Sequence, residues 1–212
     1  MLKPLPIGFS TFSDLIQGGY LYIDKTKWIY DLVRYPKGLY FLSRPRRFGK
    51  SLMVSTLTEI FLGNRDLFKG LWIDESDYQW QTHPVIRIDF SHERVSDAQT
   101  LQVVISDYLS EIAESYGLTL PTGRYIKQFR HLIRQLSAKG QVVILIDEYD
   151  KPIIDNLTKV EEAKKIRDVL KSFYTVIKAM NAQTRFVLLT GISKFSKASS
   201  NFGFTDTGWA DH

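Results

Sequence analysis

Five aliphatic residues in an unbroken row, 142–146 within QVVILIDEYDKP (141–152), set the strongest limit on what this chain can fold into. A strand with one face in water alternates apolar and polar side chains. VVILI offers water neither face, so both faces must be covered by protein. A second such run, FVLLT at 186–190, asks for the same surroundings. Two doubly buried strands belong at the centre of a parallel sheet, and parallel neighbours need long crossovers, usually helical. The rest of the chain supplies them. GLYFLS (38–43) and PVIRIDF (84–90) read as further strands. Asp24 stands where an N-cap belongs, ahead of a helix through residue 33. Met53, Leu57, Ile60 and Phe61 form one face of a helix that starts at Lys50 and ends near Gly63-Asn64. Further helices are expected from the Asp97 cap to residue 116, from Pro121-Thr122 to the stop at Gly140, and over 160–181.

The 212 residues are 44% hydrophobic and 24% charged, enough for one sizeable core. With no cysteine, disulfide frameworks, zinc–thiolate sites and cysteine nucleophiles are excluded. The four histidines, at 83, 92, 131 and 212, lack metal-ligand spacing. No apolar run approaches the length of a membrane span, and the opening MLKPLPIGF lacks the long apolar region of a secretory signal. A soluble, cytoplasmic protein without a membrane partner is the expectation. The net charge of +5 and pI near 9.2 permit a phosphate or nucleic-acid partner. Arg44, Arg46, Arg47 and Lys50 gather part of that charge in one loop.

Ligands of such sheets bind beyond the carboxyl ends of the strands, here residues 43–51, 89–91, 147–150 and 190–194. The first of these, SRPRRFGKS, ends as a phosphate-binding loop ends, between a strand and an amphipathic helix. Gly49 lets backbone approach an anion, the helix start presents free N–H groups, Lys50 reaches phosphates, and Ser51 offers a hydroxyl to magnesium. The usual first glycine of the pattern is replaced by Arg44, and Pro45 removes a backbone donor. The expected nucleotide-binding stretch is Arg44, Pro45, Arg46, Arg47, Phe48, Gly49, Lys50, Ser51 and Leu52. Asp147-Glu148, at the end of the apolar strand, has the form of a Walker B element. Asp147 would hold magnesium with Ser51, and Glu148 would orient and polarise water. Thr190, at the tip of the fourth strand, is a candidate for contact with the γ-phosphate or the water, with Ser193 its neighbour. The expected fold is an α/β P-loop NTPase, a three-layer α/β/α sandwich, in which strand 4 inserted between strands 1 and 3 brings Asp147 and Thr190 to the same edge as Ser51, an arrangement that resembles the additional-strand (AAA/STAND-like) class. Its strand order would be 2-3-4-1, with Lys50, Glu148 and Thr190 as catalytic residues and ATP and Mg2+ as cofactors.

Several segments together carry a closer likeness: PIGFSTF…GGYLYIDKT (6–26), LYFLSRPRRFGKSL (39–52), LFKGLWI (67–73), HPVIRIDFS (83–91), VILIDEYDKPI (143–153) and LLTGISKFSK (188–197). In these the sequence resembles the bacterial and archaeal AAA-ATPase-like proteins, whose P-loop is written much like RPRRFGKS. The resemblance implies an ATPase-like domain commonly followed by a lid and a PD-(D/E)xK nuclease-like domain, through which a nucleic-acid partner would enter. It implies that Tyr22, Ile23, Asp24 and Lys25 lie near the adenine. It suggests a segment over 1–36, a core over 37–197 and a divergent or truncated tail over 198–212. Neither a fifth strand, a lid nor an arginine finger is legible, and Lys194 and Lys197 are weak substitutes for a finger. The expectation is an ATPase that turns over slowly or only when completed by a partner, a further domain or a second copy. The alternative is a nucleic-acid-binding or nuclease-associated module that uses ATP as a switch. Glu148-Tyr149-Asp150-Lys151 has the wrong spacing for a nuclease, Asp89 reads as a fold residue, and Lys164, Lys165, Arg167 and Lys171 read as a solvated helix face.

Overall fold

The computed structural model describes residues 3–192 and the backbone of 205–206. Its sheet is parallel throughout, with strands β1 (Gly38–Ser43), β2 (Val85–Asp89), β3 (Val142–Asp147), β4 (Thr184–Gly191) and β5 (Thr205–Asp206) in spatial order β2-β3-β4-β1-β5. The expected order of the first four strands is the observed one. Every residue of β3 is buried. Its side chains alternate between two separate cores. Val142, Ile144 and Ile146 face one, Val143 and Leu145 the other.

The first core is closed by α4 (Ala98–Ser115), α5 (Tyr125–Ser137) and α7 (Val160–Ala179), through Leu101, Ile105, Phe129, Ile133, Phe173 and Ile177 among others. The second is closed by α1 (Phe12–Gln17), α2 (Thr26–Val33) and α3 (Lys50–Phe61), through Phe12, Ile29, Val54, Leu57 and Ile60. A short α6 (Lys151–Ile154) follows the acidic end of β3. The result is three layers, with the sheet as the shared wall.

Local chemistry explains most element ends. Asp97 caps α4, its Oδ1 accepting from the Thr100 N–H at 2.7 Å. α5 starts at Tyr125, not at Pro121-Thr122 as the composition suggests. Gly123 has φ 129°, outside any helix, and Arg124 is extended, so a helix cannot form before them. α1 was not expected. It is anchored by the Phe12 N–H donating to Ser55 Oγ on α3 at 2.9 Å. The expectation of four strands is also corrected, because Thr205 and Asp206 pair with Tyr40 and Phe41 along the free edge of β1. Two residues are too short to show a period. Ser193, Lys194 and Lys197 lie outside the described residues.

Ile144 and Leu145 point into different cores and are both fully buried. Ile144→Ala and Leu145→Ala are each expected to cost about 2–5 kcal/mol. Urea unfolding of each variant checks this, and a near-neutral result for either would mean that its face of β3 is not covered.

Candidate functional site

The loop between β1 and α3 turns without a glycine at its start. Among the described residues the non-glycine positions with positive φ are Arg47, Trp80 and Glu148, so Arg44 adopts an ordinary conformation. The left-handed turns fall instead at Arg47 (φ 66°) and at Gly49 (φ 74°), the residue before α3. Nothing lies within 4 Å of where a Gly49 side chain would begin, so the backbone there stands open. Pro45 lacks an N–H, but its carbonyl has a use. Lys50 Nζ donates to Arg44 O at 3.1 Å and to Pro45 O at 3.2 Å. These bonds accommodate an ammonium that is only 5% exposed. Arg46, Arg47 and Phe48 are exposed, Ser51 and Leu52 half-buried.

The acidic end of β3 meets this loop across β4. Lys50 Nζ lies 4.0 Å from Glu148 Oε1, with both side chains largely buried. Thr190 ties the two carboxylate residues together. Its hydroxyl donates to Asp147 Oδ1 and accepts from the Glu148 N–H at 3.1 Å. The same N–H also reaches Asp147 Oδ1 at 3.1 Å. Glu148 has φ 49°, an unfavourable conformation for a side-chain-bearing residue, and these bonds fix it there. Burial pushes the Glu148 carboxyl above its ordinary range, while the positive charges of Lys50 and Arg46 offset part of the rise.

Asp147 is fully buried, and its Oδ2 has no hydrogen-bond partner among the described residues. A buried carboxylate oxygen is costly when nothing compensates it. Magnesium fits this atom. It takes hard oxygen ligands, and one carboxylate with one hydroxyl and substrate phosphates is an ordinary set. Among the described residues no group of three His, Cys, Asp or Glu side chains could hold a metal, so a cation here would draw further oxygens from its substrate or from water.

The residues after Thr190 complete the frame. The Arg44 N–H donates to Gly191 O at 3.1 Å and Ser43 Oγ to Ile192 O at 3.2 Å. The Tyr149 N–H donates to Thr190 O at 3.0 Å, and the Ile192 N–H to Asp150 Oδ2 at 2.9 Å. A side chain on Gly191 would begin 2.7 Å from both Asp150 Oδ1 and Tyr149 Cε1. Asp150 and Gly191 fall in the stretches 147–150 and 190–194 beyond the strand ends, but no sequence motif gives either a role of its own. An acid three residues past another, and a glycine after a strand, carry no signal until β3 and β4 are known to be neighbours.

Arg44, Pro45, Lys50, Asp147, Glu148 and Thr190 thus come together. Tyr22 and Asp24 have structural partners elsewhere. The Tyr22 ring packs edge-on against Phe12. Burial raises the Tyr22 phenol to about 12. Asp24 Oδ1 accepts from Thr26, and its Oδ2 accepts from the Trp72 N–H at 2.7 Å. Asp89 Oδ1 accepts from the Ser91 N–H at 2.8 Å, which turns the chain after β2.

A parallel sheet with β4 between β1 and β3, a Gly-Lys-Ser turn opening α3 and an acidic tip on β3 define a P-loop NTPase of the additional-strand class. Comparison with known families specifies it further. The AAA-ATPase-like family model, described as a predicted AAA-ATPase, matches residues 6–200, and the chain belongs to that family. It is a P-loop ATPase-like core. An Azotobacter chroococcum mcd 1 protein, the "Uncharacterized protein in vnfD 5'region", is 46% identical over 201 residues. That match covers 93% of this chain but 39% of the relative. A chain in the structure of Drosophila ORC bound to poly(dA/dT) DNA and Cdc6 is similar over 91% of this chain and 26% of that one. The identity over that match is 10% and the TM-score 0.42. No helix among the described residues is long and apolar enough to cross a membrane.

The raised Glu148 carboxyl has a pH signature. Between its ordinary value of 4.5 and its raised one the folded chain holds more protons than the unfolded, so stability falls as pH rises through that window. Glu148→Gln removes the charge, so its melting temperature should exceed the wild type's at neutral pH and the difference should vanish below pH 4.5. Thermal melts across pH check this, and a gain that persists in acid contradicts it.

Proposed function

We propose that this core binds ATP with magnesium at the Gly49-Lys50-Ser51 turn and hydrolyses it slowly unless a partner, a further domain or a second copy completes the site. One observation carries the reading: Lys50 and Glu148 meet 4.0 Å apart beside Asp147 Oδ2, which has no hydrogen-bond partner among the described residues. A cation for phosphate, a carboxylate for water and an oxygen in need of a cation share one sheet edge.

In this reading Lys50 exchanges its two loop carbonyls for phosphate oxygens, and the start of α3 adds backbone N–H groups. Ser51 and Asp147 hold magnesium, which when bound with the nucleotide neutralises charge on the phosphates. Glu148 positions the attacking water and accepts its proton, a task suited to a carboxyl held above its ordinary range. Thr190 fixes the Asp147 carboxylate and the backbone at Glu148. Arg46 and Arg47 stand exposed, ready for phosphate or a second copy. Tyr22 and Asp24, within the segment over 1–36, flank the adenine through the elements they anchor. A cysteine-free chain suits the reducing cytoplasm. The second reading, an ATP-dependent switch with little turnover, shares the same binding step. It is favoured by the two bonds that hold Lys50 within its own loop.

Lys50→Ala is expected to weaken a fluorescent ATP analogue at least tenfold, a loss of about 1.4 kcal/mol or more. Equilibrium titration with and without magnesium measures this, and unchanged affinity overturns the proposed site. Glu148→Gln is expected to keep binding and abolish turnover. Phosphate release followed over a range of protein concentrations tests the incomplete-site reading, for which fast, concentration-independent turnover by the wild type is the contrary result.

A further inference from the structure

The chain has a second concentration of positive charge, far from the P-loop in sequence. From Leu118 to Ile146 there is no Asp or Glu, but there are Arg124, Lys127, Arg130, Arg134 and Lys139. The chain has 28 Lys and Arg; without these five, 23 remain against 23 Asp and Glu. The entire net charge of +5 therefore equals the charge of this one stretch.

The fold assembles four of the five along one groove. α5 buries Phe129, Leu132, Ile133 and Leu136 in the core, which turns the opposite face outward. Arg124, Lys127, Arg130 and Arg134 line a groove of about 650 Å3 whose far wall is Ser172 and Thr175 of α7. All four cations are exposed, and none pairs with a carboxylate among the described residues. The acids of α7 are engaged on their own helix: Glu161 by Lys164, Glu162 by Lys165 and Asp168 by Arg167. Ser172 and Thr175 donate to the carbonyls of Asp168 and Lys171, which leaves that wall neutral. Like charges held side by side repel, and a surface that accumulates four without counter-charge gains most from a polyanion.

The arrangement narrows the class of polyanion. Ten residues of helix separate Arg124 from Arg134, about 15 Å, with a cation every three or four residues, about 5 Å apart. A ladder of that kind matches a chain of repeating charges and not one small anion. Three of the four are guanidinium groups, whose fork fits phosphate. The groove contains no exposed large apolar or aromatic side chain; those of the described residues lie elsewhere, from Leu5 to Val160. Stacking of unpaired bases and insertion into lipid both need such side chains.

We propose that the α5–α7 groove docks the phosphodiester backbone of a nucleic-acid duplex, without reading its sequence. The groove lies on the α4/α5/α7 layer, across the sheet from α3, so duplex and nucleotide bind independently. The inference does not rest on ATP being bound or hydrolysed.

The test is fluorescence anisotropy with a labelled 20-base-pair DNA duplex of mixed sequence, over a series of salt concentrations, on the whole chain. The triple variant Lys127→Gln/Arg130→Gln/Arg134→Gln changes only exposed side chains, and its melting curve confirms that it folds. It is expected to bind the duplex at least tenfold more weakly. The slope of log affinity against log salt should lose about 2.7, three phosphate contacts at about 0.9 each. The loop variant Arg46→Gln/Arg47→Gln should keep the wild-type duplex affinity and slope. Unchanged binding by the triple variant, or loss confined to the loop variant, overturns the proposal. Tighter binding of the matching single strand, or displacement of the duplex by polyglutamate at equal charge as effectively as by unlabelled duplex, overturns the duplex assignment.

Discussion

The position of β4 between β1 and β3 is the constraint on which the site depends. Neighbouring strands lie about 4.8 Å apart, so the P-loop strand and the acidic strand are held about 10 Å apart. Lys50, at the start of α3, and Glu148, past the end of β3, meet within that gap, with Lys50 Nζ 4.0 Å from Glu148 Oε1. The strand that makes the gap also fills it, because its tip carries Thr190, whose hydroxyl joins Asp147 to the Glu148 backbone. Were β1 and β3 adjacent, Thr190 would have no place between the loop and the acids. Burial of β3 on both faces is what keeps the spacing fixed, since neither core can yield without opening the other side of the sheet.

Much of this was legible in the residues because it depends on local periodicity. VVILI admits no exposed face, and that dictated a central parallel strand. Lys50, Ser51, Asp147 and Glu148 stand at the ends of such elements, where position in sequence fixes position in space. What depends on distant partners was not legible. Asp24 bonds Thr26, but the helix starts one residue later than expected, with Lys25 at its N-cap, and the second Asp24 oxygen holds Trp72, 48 residues on. The acid-free stretch over 118–146 is visible to simple counting. That its cations share a groove follows only from the packing of α5 against α7. α5 begins late because Gly123 adopts a φ no helix allows, and a glycine's φ cannot be read from its neighbours.

The loop shows how a pattern can lose a residue and keep its geometry. A glycine at its first position is needed only if the backbone turns left there. Here it turns left at Arg47 and Gly49, so Arg44 costs nothing in conformation. Pro45 gives up an N–H and contributes a carbonyl to Lys50. The two carbonyls compensate a nearly buried ammonium, so the loop stays closed around its own lysine.

Gly191 and Ile192 bond in two directions. Towards β1 their carbonyls receive Arg44 and Ser43; towards β3 the Ile192 N–H meets Asp150, and the tyrosine and aspartate of the acidic turn press on the bare Gly191 Cα. These two residues act as a rivet through both walls of the cleft. Mechanical load on the polypeptide as it leaves β4 is therefore shared between the phosphate loop and the acids.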